Sequence, residues 1–182
     1  CPNRDGTTGT TGCIYCNNDS FRPNSCKPTL SISDQIRNGI THVKKRYKAE
    51  KVLVYFQPYT NTYAPVKELE RLYKEALLEP SVIGLAIGTR PDTVDEEKIQ
   101  LLEELAKKHF ILIEYGLQSI YDRTLVFINR GHDYNSFLKA IDMTKDKGIY
   151  IGAHVIVGFP TESLEEMLFM ADEISHMPVD FL

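Results

Sequence analysis

Four uninterrupted apolar runs, each separated from the next by a stretch of helical periodicity, narrow what this chain can fold into. The runs cover residues 52–57, 82–88, 110–117 and 150–158, and another begins at 179. Strand starts at 52, 82, 110, 150 and 179 give steps of 30, 28, 40 and 29 residues. A run that is apolar throughout, rather than on alternate residues, belongs to a strand buried on both faces, as in parallel sheets covered by crossover helices. A β-α unit of about thirty residues repeated this often predicts an α/β fold around a parallel sheet, open or closed into a barrel.

The intervening segments carry helix signals. Residues 33–47 open on Ser33 as the expected N-cap. Residues 65–78 have Pro65 in the first turn and stop before Pro80. In 95–109, Ile99, Leu102, Leu105 and Ala106 form one apolar stripe. Residues 134–147 stop at Gly148, and 163–176 follow Thr161 as the expected cap. No G-x-G-x-x-G follows a strand, which argues against a dinucleotide fold.

Chemistry in parallel α/β folds collects at the carboxyl ends of the strands. Those ends are polar here: Gln57, Thr60 and Asn61 after the first run, Thr89, Arg90 and Asp92 after the second, Glu114, Gln118 and Ser119 in the third. The fourth contributes His154 and then 157–162. Glu114 stands inside an otherwise apolar strand, where a carboxylate without a partner is costly. Either it forms a structural ion pair with Arg90 or Arg130, or it serves a site. An acid–base enzyme without metal, built on Glu114 and Arg90, is one reading of this pattern.

At the head of the chain, C-P-N-R-D-G-T-T-G-T-T-G-C-I-Y-C places Cys1, Cys13 and Cys16 in a C-x11-C-x2-C set. Three thiolates with no clear fourth leave one corner of a four-iron cluster open. Cys26, ten residues past Cys16, would instead complete a four-cysteine zinc site and a non-catalytic module. Spacing alone leaves both open. The Gly/Thr-rich loop before Cys13 is a poor helix start, which disfavours a thioredoxin-type pair.

At 182 residues and 42% hydrophobic the chain suits one domain with an ordinary core. A net charge of −4 provides no global field for nucleic acid, no run reaches membrane-spanning length, and four cysteines make no disulfide framework. These features predict a cytoplasmic protein with no membrane contact. Cys1 opens the chain without a Met, and residues 178–182 look like a strand just starting. A fragment of a longer protein, truncated at both ends, is therefore expected.

Together, the cysteine set with Tyr15, T-R-P-D (89–92), E-Y-G-L-Q-S (114–119), N-R-G-H (129–132) and V-G-F-P-T-E (157–162) resemble the radical S-adenosylmethionine (SAM) superfamily. Within it the chain is similar to YhcC-type Fe–S oxidoreductases, related to the elongator-protein and oxygen-independent coproporphyrinogen dehydrogenase branch. The resemblance implies a partial (β/α)6 TIM-like barrel spanning 1–182, with a cluster loop at 1–28 and β/α repeats over 29–182. It implies a 4Fe-4S cluster on Cys1, Cys13 and Cys16, with Cys26 dispensable. SAM would bind the open iron and be cleaved reductively to a 5′-deoxyadenosyl radical that abstracts hydrogen from a substrate.

The resemblance also assigns roles. Tyr15 is similar to the aromatic residue that packs near the adenine. Gln57, Thr60 and Asn61 stand where the superfamily carries a Gly-Gly-Glu motif for the SAM amino group. Glu114 and Gln118 correspond to residues contacting the ribose or methionine portion, and Arg130 to an Arg for the SAM carboxylate. Arg90 joins them at the cofactor face. Ile156, Gly158 and Phe159 resemble the adenine-binding motif; the Gly that usually begins it is His154 here, which frees His154 to face substrate. The substrate is unknown and an external electron donor is required. Elongator relatives act on tRNA, and Arg37, Lys44, Lys45, Arg46, Lys48 and Lys51 cluster around the first helix, but a solvated helix face is the favoured explanation in an acidic chain.

Overall fold

The apolar runs become strands that pair in chain order. A computed structural model describes residues 1–17, 20 and 29–182. The elements are α1 (Ile32–Tyr47), β1 (Val52–Phe56), α2 (Val66–Ala76), β2 (Val82–Thr89), a 3-10 turn (Pro91–Thr93), α3 (Glu96–Ala106), β3 (Phe110–Gln118), α4 (Asp122–Phe127), α5 (Tyr134–Thr144), β4 (Tyr150–Val155) and α6 (Leu164–Ser175). The strands form one open parallel sheet in the order β1-β2-β3-β4. The expected run at 179 reaches the sheet as a single parallel bridge, Gly152 to Phe181. There Ala153 N–H donates to the Phe181 carbonyl at 2.9 Å, and the Asp180 carboxylate accepts from Ile151 N–H at 2.8 Å.

Two helix caps differ from the expectation, for one reason. Ser31, not Ser33, caps α1, and Ser163, not Thr161, caps α6. A capping side chain works best with a carboxylate three residues on. Asp34 and Glu166 stand at that spacing from Ser31 and Ser163; Ile36 and Leu164 stand there for Ser33 and Thr161. The displaced residues have other partners: the Ser33 hydroxyl donates to Glu75 at 3.0 Å, and Thr161 pairs with Thr124 at 2.8 Å. The short helix α4 was not expected. It accounts for the 40-residue step between the third and fourth runs.

The sheet has two unlike faces. Leu85, Ile87, Ile111, Ile113, Tyr115, Leu117, Ile151 and Ala153 join the helix residues Leu69, Tyr73, Ile99, Leu102, Phe137 and Met170 in one core. Alternate residues on the strands point the other way, because successive side chains of a strand alternate. This face, helix-free among the described residues, carries Leu53 and Tyr55 of β1, Glu114, Gly116 and Gln118 of β3, and Gly152 and His154 of β4. Leu53 and Tyr55 are exposed, so β1 is not the doubly buried strand its composition suggested.

Candidate active site

The cysteine loop sits over the carboxyl ends of β2 and β3, held by the turn after α4. The Ile14 N–H donates to the Ile128 carbonyl at 3.1 Å, and the Asn129 amide donates to Thr11 Oγ1 at 2.9 Å and to the Gly12 carbonyl at 2.7 Å. Cys13 is buried, while Cys1 and Cys16 are partly buried, and all three are free thiols. Cys16 N–H donates to the Cys13 carbonyl at 3.1 Å, and Arg4 bonds the Cys16 carbonyl at 3.1 Å. Cys26 lies outside the described residues.

Arg130 links this loop to β3. It is only 7% exposed. Its Nη2 donates to the Gly116 carbonyl at 2.5 Å and its Nη1 to Cys13 Sγ at 3.6 Å, while Nε is buried without a partner. Gly116 makes this possible. A Cβ there would lie 2.5 Å from Arg130 Nη2 and 2.7 Å from Gln118 Nε2. The two side chains thus lie over the bare backbone of β3, and Gln118 itself adopts a positive φ of 72° at the strand end.

The other strand-end residues divide between structure and site. Arg90, 2% exposed, grips Asp92 through two nitrogens at 2.9 and 2.7 Å and donates to the Arg130 carbonyl at 2.7 Å. Its guanidinium is thus committed to holding the 129–131 turn. Asn61 ties β1 to β2, its amide donating to the Phe56 and Gly88 carbonyls, both at 2.8 Å. Thr60 Oγ1 is buried without a partner, and Gln57 is half-buried just past β1. Ile156, Gly158 and Phe159 follow β4 in a partly exposed loop, with Gly158 at φ 94°.

Glu114 meets neither Arg90 nor Arg130, so of its two alternatives the structural ion pair is not formed, and neither is the Glu114–Arg90 pairing of the metal-free reading. Its carboxylate lies 3.5 Å from His154 Nε2 across β3 and β4. Tyr55 on β1 is its other neighbour: burial first, then hydrogen bonding to Glu114 and the Glu114 charge, pushes the Tyr55 phenol up. The Glu114 side chain is 17% exposed and His154 49%, so this polar group opens onto the helix-free face.

Two residues near the loop, Asn3 and His132, were not singled out from sequence, and a third, Tyr15, was. Asn3 is buried and bonds Cys13, Asn129 and Arg130; a polar residue next to Cys1-Pro2 was its only signal. His132, of the N-R-G-H motif, has its pKa pushed down to about 4, chiefly by burial and then by the Arg130 charge. The Tyr15 phenol is pushed up by burial, opposed by Arg130 and reinforced by Cys13 and Cys16, which puts its hydroxyl beside the cysteines.

The donor set fits an iron–sulfur cluster with SAM. Among the described residues no three Cys, His, Asp or Glu side chains converge on a single metal ion. A cubic cluster spreads its thiolates over separate corners, so it does not need that convergence. Two N–H donors directed at Cys13 Sγ suit a thiolate, and the unpartnered Arg130 Nε beside them suits an anionic ligand.

The sequence pattern of the radical SAM superfamily matches residues 6–174, and the chain belongs to that superfamily. Protein YhcC of Escherichia coli strain K12 is 36% identical over 181 residues, covering 99% of this chain and 57% of YhcC. The tRNA uridine(34) acetyltransferase of Methanocaldococcus infernus is 35% identical over 100 residues, 55% of this chain and 18% of that protein. The solved structure of the M. infernus Elp3 with an N-terminal deletion superposes with a TM-score of 0.68 at 25% identity, over 79% of this chain and 38% of that one. The chain therefore spans little more than half of YhcC, and its open sheet belongs to the TIM-barrel-like class of these proteins.

At the opposite end of the strands, a groove of about 640 Å³ is lined by Arg37, Lys44, Lys51, Glu50 and Glu79. Arg37 is paired there with Asp34 at 2.8 Å and Glu79 at 3.2 Å. Among the described residues no helix is long and apolar enough to cross a membrane.

Proposed function

We propose that this chain is the catalytic core of a radical SAM enzyme with a 4Fe-4S cluster on Cys1, Cys13 and Cys16. Cys1, Cys13 and Cys16 would hold that cluster, which, reduced by an external donor, would supply the electron for reductive cleavage of SAM and hence for hydrogen abstraction from a substrate. The observation that carries this reading is the Arg130 bridge. One guanidinium nitrogen contacts Cys13 Sγ, another the backbone of β3, and the remaining Nε is unpartnered.

Each residue then has a physical task. Arg130 neutralises and orients the SAM carboxylate through its free edge. Gln118, over Gly116, offers an amide to the ribose or methionine portion. Gln57 and the unpartnered Thr60 hydroxyl are the polar atoms left for the SAM amino group, since the Asn61 amide is occupied. Tyr15 and the 156–159 loop enclose the adenine and exclude water. Glu114, with His154 and Tyr55 beside it, receives an N–H or O–H of the substrate on the helix-free face.

The substrate remains open to any molecule that face admits. A tRNA substrate, suggested by the name of one relative, is not favoured: Arg37 is neutralised by Asp34 and Glu79, and its groove lies at the end of the strands away from the cysteines. The cytoplasm is the proposed compartment.

Anaerobic reconstitution with iron and sulfide should give brown protein with about four irons per chain. Dithionite and SAM should then yield 5′-deoxyadenosine. Cys13→Ala should abolish both, and Cys26→Ala neither. Colourless protein that binds zinc and loses it in Cys26→Ala would establish the four-cysteine zinc module instead.

A further inference from the structure

We infer that Asn3 tunes the electron affinity of the cluster through a hydrogen bond to Cys13, an inference that rests on the cluster assignment above. Asn3 is 1% exposed. Its Nδ2 faces three acceptors: the Asn129 carbonyl at 2.5 Å, the Arg130 carbonyl at 3.4 Å and Cys13 Sγ at 3.7 Å. Which amide atom points this way is normally a matter of inference from partners. Here the partners decide it. Turning the amide over would press Oδ1 against two carbonyl oxygens and a sulfur, all electron-rich.

The opposite side of the amide has been given room. A Cβ on Gly9 would lie 2.2 Å from Asn3 Oδ1, and one on Gly131 3.1 Å. Two glycines from segments far apart in the chain thus make the slot that Oδ1 occupies without a hydrogen-bond partner. An unpartnered buried oxygen is unfavourable. It is tolerated where the same side chain directs its donors at something more demanding.

Cys13 Sγ is that target. It receives Nδ2 of Asn3 and Nη1 of Arg130, one neutral and one charged donor, in a buried position. Donors of this kind withdraw electron density from a ligating sulfur, and hydrogen bonds to sulfur are among the levers that set cluster potential. Arg130 has a second task at SAM. Asn3 has none, so its contribution is a property of the loop itself. Losing it should leave the sulfur richer in electrons and the cluster harder to reduce.

The test is the midpoint potential of the reconstituted cluster, titrated by EPR without SAM. Asn3→Ala, and Asn3→Leu as the variant that keeps side-chain bulk, should move it negative. The expected loss is about tenfold in the one-electron reduction equilibrium, or ~59 mV. Asn129→Gly deletes the tethers to Thr11 and Gly12 without touching sulfur, and should leave the midpoint in place. A midpoint unchanged in both Asn3 variants overturns the inference and leaves the enzyme assignment intact. If neither Asn3 variant holds a cluster while Asn129→Gly does, Asn3 is a structural tether and the tuning role is overturned. If the unmodified protein loads no cluster, the proposed function fails first and takes this inference with it.

Discussion

Alternate residues of β3 live in different worlds. Ile111, Ile113, Tyr115 and Leu117 point into the helices and are fully buried. Glu114, Gly116 and Gln118 point away from them, and none belongs to the core. One face holds the sheet together by shape and volume. The other keeps a carboxylate, a bare backbone and an amide outside the apolar core. A strand apolar enough to look buried on both sides is thus specialised by alternation, and its few polar residues mark the working side.

The largest expected effect tests this division directly. Ile113→Ala, on the helix face, should cost about 2–5 kcal/mol of stability by leaving a cavity in the core. Glu114→Gln, one residue on, should change stability by less than about 1 kcal/mol while impairing turnover. Denaturant unfolding of both variants measures the contrast. Equal losses would mean that both faces are structural and that Glu114 is simply part of the packing.

Much of this arrangement was legible in the sequence because parallel strands have a strong composition signal. The four runs, their order and the polar strand ends all follow from it. The choice between two candidate caps did not, because it turns on the identity of the residue three positions later. Nor did the fate of Arg90. A buried Arg after a strand reads as a cofactor ligand, yet Asp92, two residues on, captures it and makes it a support for the 129–131 turn. Asn3 was hidden for a different reason: its partners lie across the whole chain. The Glu114–His154 approach was likewise invisible, because it depends on the register of β3 with β4.

A middle-sized effect is expected at Gly116. Gly116→Ala adds a Cβ against the ends of two side chains rather than against backbone, so the fold should survive. Arg130 and Gln118 must move aside, and SAM affinity should fall about tenfold or more, ~1.4 kcal/mol. Calorimetric titration of SAM into reconstituted protein measures this. Unchanged affinity would show that the two side chains over Gly116 are not the SAM contacts.

The effect that is smallest at neutral pH is a pH slope. His132 has a folded pKa of about 4, against about 6.5 when unfolded. The folded state therefore favours the neutral ring, and the unfolded state binds more protons between these values. Its stability contribution is complete above about pH 6.5 and is lost progressively as pH falls toward 4, by at most about 1.4 kcal/mol per pH unit. His132→Gln should flatten that slope in thermal melts across the window. A variant with the unaltered slope would place the acid sensitivity elsewhere.

The tether between Asn3 and the 129–131 turn joins residues 126 and 127 positions apart. Closing a loop of that size costs chain entropy before any contact repays it. The sheet and its helices, by contrast, are assembled from neighbours in sequence. The cysteine segment is held to the rest by such long-range polar ties, so it is expected to settle late and to open early, which hydrogen exchange of its amides would measure. If the cysteine set holds a cluster as proposed, iron and sulfide would meet a finished scaffold, and the cysteine segment would be the part that settles around them.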